Sequence, residues 1–119
     1  MNKGNQCIDQ RLPKTEILRK KTDFDVVFEK GFIWNGIFIK IIYLKSNHRM
    51  VGFIVSKRFG NAVMRNWAKR LLREVYRHIR YKLGPIKIIL LPKDRLKKAS
   101  LKELKEELNR FCQCIESLH

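Results

Sequence analysis

The sequence predicts an α+β fold, a two-layer α/β sandwich in which helices pack on a small, mostly antiparallel sheet. Apolar residues recur at helical spacing in separate segments, and short runs rich in Ile, Val, Phe and Tyr lie between them. The chain has 119 residues, 45% of them hydrophobic, which suffices for a single core. The predicted order is helix, two or three strands, a basic helix, a strand and a last helix.

The first residues of the chain are polar and basic and show no periodicity. They predict a flexible N-terminal arm over residues 1–14, followed by a single domain over residues 15–119.

The first helix is predicted over Asp23–Lys30. Thr22 is a candidate N-cap residue, and Gly31 follows the last helical residue. Phe24 and Phe28 lie on one side of this helix, and their spacing alone favours a place in the core.

Three or four short segments are predicted to be strands. Phe32–Gly36 is either a short strand or an irregular approach, and Ile37–Lys45 is a strand whose apolar run is too continuous for clean alternation. Met50–Ser56 follows after a short polar link, which predicts an antiparallel hairpin of these last two segments. Ile86–Leu91 is the final strand.

The basic helix is the most informative segment. Residues 57–82 carry nine Lys or Arg and a single acid, Glu74, a net charge of +8 out of +16 for the chain. Asn61 is a candidate N-cap, and Gly84 and Pro85 end the helix. The predicted buried face consists of Val63, Met64, Trp67, Ala68, Leu71, Leu72, Val75 and Ile79. The opposite face carries Asn66, Lys69, Arg70, Arg73 and Arg77, with Arg65 at its edge.

This arrangement of charge predicts a polyanionic partner. Like charges one turn apart destabilise a helix by a few tenths of a kcal/mol per pair, and the guanidinium group of Arg matches the geometry of phosphate. The exposed amides at the helix N-terminus, together with Lys57 and Arg58, add a site for an anion. A pI of about 10.2 indicates nucleic acid or an anionic surface.

The last helix is predicted over Leu101–Cys114. Ser100 and Glu103 form a capping box at its start. Its outer face mixes cations with acids such as Glu107, and this face is predicted to be inert surface.

Neither a catalytic site nor a cofactor or metal site of the protein itself is predicted. The clustered carboxylates or His–acid pairs of a nuclease are not evident, and no phosphate-binding loop occurs. Cys112 and Cys114 with His119 lack the usual ligand spacing, and Cys112 is expected to pack in the core. With Cys7, the odd cysteine count and the lack of a signal peptide predict a cytoplasmic protein.

The run G-N-A-V-M-R-N-W-A-K-R-L-L-R-E resembles the arginine-rich signature of the bacterial ribonuclease P protein subunit. Trp67 departs from this signature, because the family usually has a second Arg there. Position 67 falls near the edge of the apolar face, so the sequence leaves open whether Trp67 stacks on RNA or packs in the core. The resemblance extends from about Leu12 to Phe111. The matching residues are Arg65, Asn66, Lys69, Arg70, Arg73 and Glu74.

The resemblance implies an accessory subunit of a ribonucleoprotein whose RNA, with Mg²⁺, removes the 5′ leader of precursor tRNA. It implies a four-stranded fold with a left-handed crossover around the basic helix, whereas the general rule predicts a right-handed one. It also implies a 1:1 complex with the RNA. Contacts to the RNA subunit are implied for Arg65, Asn66, Lys69, Arg70 and Arg73, and contacts to the leader for Phe24, Phe28, Lys57, Arg58 and Asn61.

Three other classes of protein can also carry a basic helix of this kind. A structural RNA-binding protein of ribosomal type would share the basic helix without a role in tRNA processing. A DNA-binding module is disfavoured because strands flank the helix on both sides. A membrane-surface helix is disfavoured because the apolar face is needed to bury the sheet.

Overall fold

The computed structural model describes residues 12–117, and it has the predicted class and the α-β-β-β-α-β-α order of elements. The helices and strands are α1 (Lys21–Lys30), β1 (Phe32–Asn35), β2 (Ile39–Lys45), β3 (Met50–Phe53), α2 (Ala62–Ile79), β4 (Ile86–Pro92) and α3 (Leu101–Ser117). The strands form one mixed sheet in the order β1-β2-β4-β3. No helix within residues 12–117 is long and apolar enough to cross a membrane.

The predicted hairpin of β2 and β3 is wrong, because β4 lies between them. β4 is antiparallel to β2 and parallel to β3. The link of residues 46–49 passes the start of β4, where the Ser46 amide donates to the Pro85 carbonyl at 3.2 Å. β2 and β3 are two strand spacings apart, which is roughly 10 Å, and the four residues of an extended link can span this distance. β3, α2 and β4 therefore form a βαβ unit, whose left-handed crossover stays a prediction.

Both faces of the sheet are covered, which explains the continuous apolar run of β2. Ile39 and Ile41 belong to the main core, on the face that α2 and α3 cover. Ile42 points to the other face, where it forms a second core with Val27 of α1 and Ile89 of β4. Successive residues of β2 therefore point to opposite faces of the sheet, and both faces are covered.

Two helix N-termini have the predicted caps, and one does not. The Asn61 side chain accepts a hydrogen bond from the Met64 amide at 2.9 Å. The capping box before α3 is confirmed, since the Glu103 amide donates to Ser100 Oγ at 3.1 Å. Thr22 is not the N-cap of α1, because the helix begins at Lys21, two residues before the predicted start, and the Lys20 carbonyl accepts its first hydrogen bonds.

A buried ionic network ties the start of the described chain to the end of α2. The Glu16 carboxylate accepts hydrogen bonds from Tyr76 Oη at 2.7 Å, Arg49 Nε at 3.2 Å and Arg80 Nε at 3.0 Å. Burial acts to raise the pKa of Glu16, but the hydrogen bonds from Arg80, Tyr76 and Arg49 outweigh it and hold the pKa below its ordinary value. This network fixes the C-terminal end of α2 against the body of the protein.

Most of the predicted N-terminal arm, residues 1–11, lies outside the described residues. Leu12 is buried against the main core, and Glu16 is buried in the short helical turn Lys14–Glu16.

Candidate nucleic-acid interface

Helix α2 has one buried face and one charged, exposed face. Ala68, Leu72 and Val75 are fully buried in the main core. Lys69 and Arg70 are exposed on the opposite side. We call the five residues of α2 for which the family resemblance implies contacts to the RNA subunit the basic face, and its members are Arg65, Asn66, Lys69, Arg70 and Arg73.

The only acid of α2 does not neutralise the basic face. Glu74 accepts a hydrogen bond from Arg77 and lies 3.1 Å from His78 Nε2. Within residues 12–117, no carboxylate pairs with Lys69, Arg70 or Arg73. These three cations therefore lie side by side on the surface without an acidic partner in the described part of the chain.

Two members of the basic face also make contacts within the protein. The Arg73 guanidinium lies over the Phe53 ring, with its carbon 5.5 Å from the ring centroid. Arg65 is half-buried and donates from Nη1 to the Gly60 carbonyl at 2.8 Å. Asn66 is exposed. The Arg65 and Arg73 side chains are thus held in defined positions on the surface of α2.

The N-terminus of α2 adds positive charge next to the basic face. Lys57 and Arg58 are exposed on a helical turn that Phe59 anchors in the main core. The first amides of α2 have no intrahelical partner and carry partial positive charge. Asn61 uses its side-chain oxygen for the cap, which leaves its side-chain NH₂ group to donate to a ligand.

The two phenylalanines of α1 have different environments. Phe24 is half-buried and packs against the second core. A Cβ atom on Gly52 would lie 2.4 Å from Phe24 Cε1, so the ring rests on the bare backbone of β3. Phe28, one turn later, is 43% exposed. Of this pair, Phe28 presents the larger surface to solvent.

The prediction that Val63 is buried is wrong, and Trp67, whose place the sequence left open, is partly exposed. Val63 is 75% exposed and Trp67 is 37% exposed, whereas Tyr76 is fully buried. Nine residues separate Trp67 from Tyr76, and a step of ~100° per residue places them on opposite sides of the helix. Tyr76 reaches Glu16 on the buried side, so the buried face is centred away from Trp67.

A second group of cations, which the sequence analysis did not select, adjoins the N-terminus of α2. It lies in Asp94–Lys98 and the residue before it, and Lys97 Nζ is 4.8 Å from the centroid of the Phe59 ring. The sequence signal was available, because K-D-R-L-K-K holds four cations in six residues. Lys97 thus lies beside the turn that carries Lys57 and Arg58, whereas Lys93 Nζ donates to the Gly36 carbonyl at 2.6 Å.

Glu107 was predicted to lie on an inert outer face, and this prediction is wrong. It is fully buried, and its carboxylate accepts the backbone amides of Ile37 at 2.6 Å and Ile39 at 2.7 Å. A Cβ atom on Gly36 would lie 2.5 Å from Glu107 Cδ, so the turn leaves room for the carboxylate only because residue 36 is glycine. Glu107 therefore holds the β1–β2 turn against α3.

No candidate metal site appears in residues 12–117, where no three His, Cys, Asp or Glu side chains form a suitable group. Cys112 is buried in the main core, as predicted, and burial raises the pKa of its thiol to about 11. Cys114 is exposed. Cys7 and His119 lie outside the described residues.

Comparisons with known proteins agree on one family. The family model described as Ribonuclease P matches residues 12–116. The chain is 32% identical over 111 residues to the ribonuclease P protein component of Chlamydia pneumoniae, covering 91% of this chain and 78% of that protein. It is 27% identical over 101 residues to that of Nitratiruptor sp., covering 85% and 93%.

Solved structures show the same fold. The RNase P protein of Staphylococcus aureus superposes with a TM-score of 0.74 at 24% identity, covering 86% of this chain and 96% of that one. The RNase P protein from Thermotoga maritima superposes with a TM-score of 0.72 at 23% identity, covering 82% and 94%.

Proposed function

The chain belongs to the ribonuclease P family, and we propose that it is the protein subunit of a ribonuclease P. In this role it binds one ribonuclease P RNA through the basic face of α2 and binds the 5′ leader of precursor tRNA beside it. The result is endonucleolytic maturation of the tRNA 5′ end.

The exposed and unneutralised cations of α2 carry this proposal. Lys69, Arg70 and Arg73 have no acidic partner in residues 12–117, so their mutual repulsion is relieved when phosphates approach. Each neutralised phosphate also releases a condensed counterion, which favours binding at low salt. These three cations are carried by one helix, so their backbone positions are fixed, which suits binding to a folded RNA of fixed shape.

The leader-binding half of the proposal rests on an aromatic ring and a polar turn. Phe28 exposes its ring on α1, and Lys57, Arg58 and Asn61 supply charge and hydrogen-bond donors where β3 leads into α2. A single strand of variable sequence is bound by stacking and backbone contacts rather than by reading base edges. This combination therefore suits a leader.

The proposal assigns cleavage to the RNA subunit, which would also hold the Mg²⁺ that the reaction uses. Three carboxylates of this chain are already used inside the fold, with Glu16 on Arg80, Glu74 on Arg77 and Glu107 on backbone amides. The protein then contributes in two ways. It positions phosphates, and it lowers the electrostatic repulsion between the RNA subunit and its substrate.

Reconstitution tests the proposal. The purified chain is added to a ribonuclease P RNA at low Mg²⁺, and removal of the leader is measured. We expect the wild-type chain to accelerate cleavage and the Lys69→Gln/Arg70→Gln variant to do so poorly. The matched control is Lys102→Gln/Lys105→Gln on α3, which removes the same charge from another surface and should behave as wild type.

A competition experiment separates this role from that of a ribosomal-type RNA-binding protein. In a gel shift with labelled precursor tRNA bound to the chain, unlabelled precursor tRNA should displace the label better than mature tRNA or ribosomal RNA does. Equal competition by all three, without acceleration of cleavage, would contradict the proposal and support the ribosomal-type role.

A further inference from the structure

An open depression beside the basic face is lined by apolar side chains. Its lining residues are Val63, Trp67, Arg70 and Leu71, and its volume is about 440 Å³. Val63, Trp67 and Leu71 follow one another at four-residue spacing, so they form a continuous stripe along α2. Arg70 borders this stripe on the side of the basic face.

The fold accounts for Leu71, which packs against the main core, but not for Val63 and Trp67. The sheet-facing side of α2 is filled by residues such as Leu72 and Tyr76, which are fully buried. Trp67 lies on the other side from Tyr76, and its indole remains 37% exposed. Together with Val63 it leaves an apolar surface in water, which is the usual mark of a binding site rather than of a scaffold.

The charge around the depression decides what can occupy it. Lys69, Arg70 and Arg73 lie on the adjoining face, and the chain as a whole carries a net charge of +16. A second copy of the chain would bring its own cations against this surface, which disfavours a dimer. An occupant must be flat and apolar where it meets the indole and anionic where it meets Arg70.

We propose that Trp67 stacks on an unpaired nucleobase of the bound RNA while Arg70 contacts the phosphate next to that base. This inference rests on the proposed function, since it assumes that the basic face of α2 binds RNA. An unpaired base is required, because the faces of bases within a duplex are already stacked on their neighbours. Val63 and Leu71 flank the indole and would shield the stacked pair from water.

Fluorescence of Trp67 provides a direct test. The chain has two tryptophans, so the variant Trp34→Phe leaves Trp67 as the sole indole. Single-stranded oligoadenylate is the first probe, and inorganic polyphosphate, which carries charge but no bases, is the second. We expect strong quenching by oligoadenylate and little by polyphosphate when both saturate the protein. Equal quenching by both, or none by oligoadenylate, would overturn the inference.

Affinity measurements provide the second test. Trp67→Ala should lower the affinity for single-stranded RNA roughly five- to a hundredfold, the range found when a stacking aromatic is removed. Trp67→Phe should retain most of the affinity, and both variants should keep the wild-type dependence on salt, since no cation is lost. Unchanged affinity in Trp67→Ala would refute the stacking contact.

The outcome also separates this inference from the function on which it rests. If Lys69→Gln/Arg70→Gln binds RNA weakly while Trp67→Ala binds normally, the inference fails and the proposed function stands. If neither variant loses affinity, α2 does not bind RNA and both fail.

Discussion

Arginines at the two ends of α2 have opposite environments. Arg70 is exposed in the middle of the basic face and has no acidic partner in residues 12–117. Arg80, just after the last residue of the helix, is 6% exposed and is paired with Glu16. Ten residues of chain thus separate a cation available to a ligand from one used to hold the fold.

The difference shows that the charge of a segment overstates the charge that a partner can use. Residues 57–82 contain nine cations, but Arg80 binds Glu16 and Arg77 binds Glu74. Arg65 also donates to the Gly60 carbonyl, and Lys82 donates to Asn109 Oδ1 at 2.6 Å. A ligand therefore meets mainly Lys69, Arg70 and Arg73 together with the cations before the helix.

Removal of the buried arginine should have the largest effect. Arg80→Ala leaves the Glu16 carboxylate buried without its main partner, and the loss of one member of a buried pair costs about 3–5 kcal/mol. Urea denaturation should show this loss in the free energy of unfolding. Arg70→Ala should change that free energy by about 0.5 kcal/mol or less, because the residue is exposed. Similar losses in both variants would contradict the distinction between the two arginines.

The same network predicts a smaller effect of acid. The pKa of Glu16 in the folded protein lies below the ordinary value of 4.5, so the folded state binds the proton less readily than the unfolded state. The stabilisation is therefore complete above about pH 4.5 and is lost as pH falls through the folded-state pKa. In Glu16→Gln this part of the pH dependence should be absent when unfolding is followed from pH 7 to pH 3. An identical pH profile would show that other carboxylates control acid unfolding.

The sequence predicted the features of this molecule that depend on neighbours along the chain. Asn61 was recognised as a cap because its partner is three residues away. The hairpin prediction failed because β4, some forty residues later in the chain, lies between the two strands. The pairing of Glu16 with Arg80 joins residues 64 positions apart, and no local pattern marks it.

The sequence predicted only the part of the candidate site that depends on local spacing. Helical spacing placed Lys69, Arg70 and Arg73 on one surface, because that prediction depends only on the geometry of the helix. The sequence left the place of Trp67 open, because the contact that turns Tyr76 to the buried side is made with Glu16, sixty residues away. Long-range contacts therefore decide how far a helix is rotated and which of its border residues remain in water.

On α1, Phe24 and Phe28 differ in the same way as the two arginines. Their substitution should have effects of intermediate size on leader affinity and on the free energy of unfolding. Phe28→Ala should weaken binding of a leader oligonucleotide by roughly 1–3 kcal/mol, the usual value of one stacked base, with little loss of stability. Phe24→Ala should cost more in unfolding free energy, because its ring packs on Gly52 and the second core. Both quantities can be measured on the same two variants. A loss of several kcal/mol of stability in Phe28→Ala would assign Phe28 to the core instead.

The smallest expected effect concerns salt, and it tests the exposed arginine alone. For RNA binding, the logarithm of affinity should fall linearly with the logarithm of salt concentration, with a slope set by the number of phosphates neutralised. Arg70→Ala should reduce this slope by about one unit. Lys102→Ala on α3 is the control, since Lys102 is also exposed but lies on another helix. If the two variants have the same slope as wild type, the phosphates contact a different surface, and the cations before α2 and in residues 93–98 become the first to test.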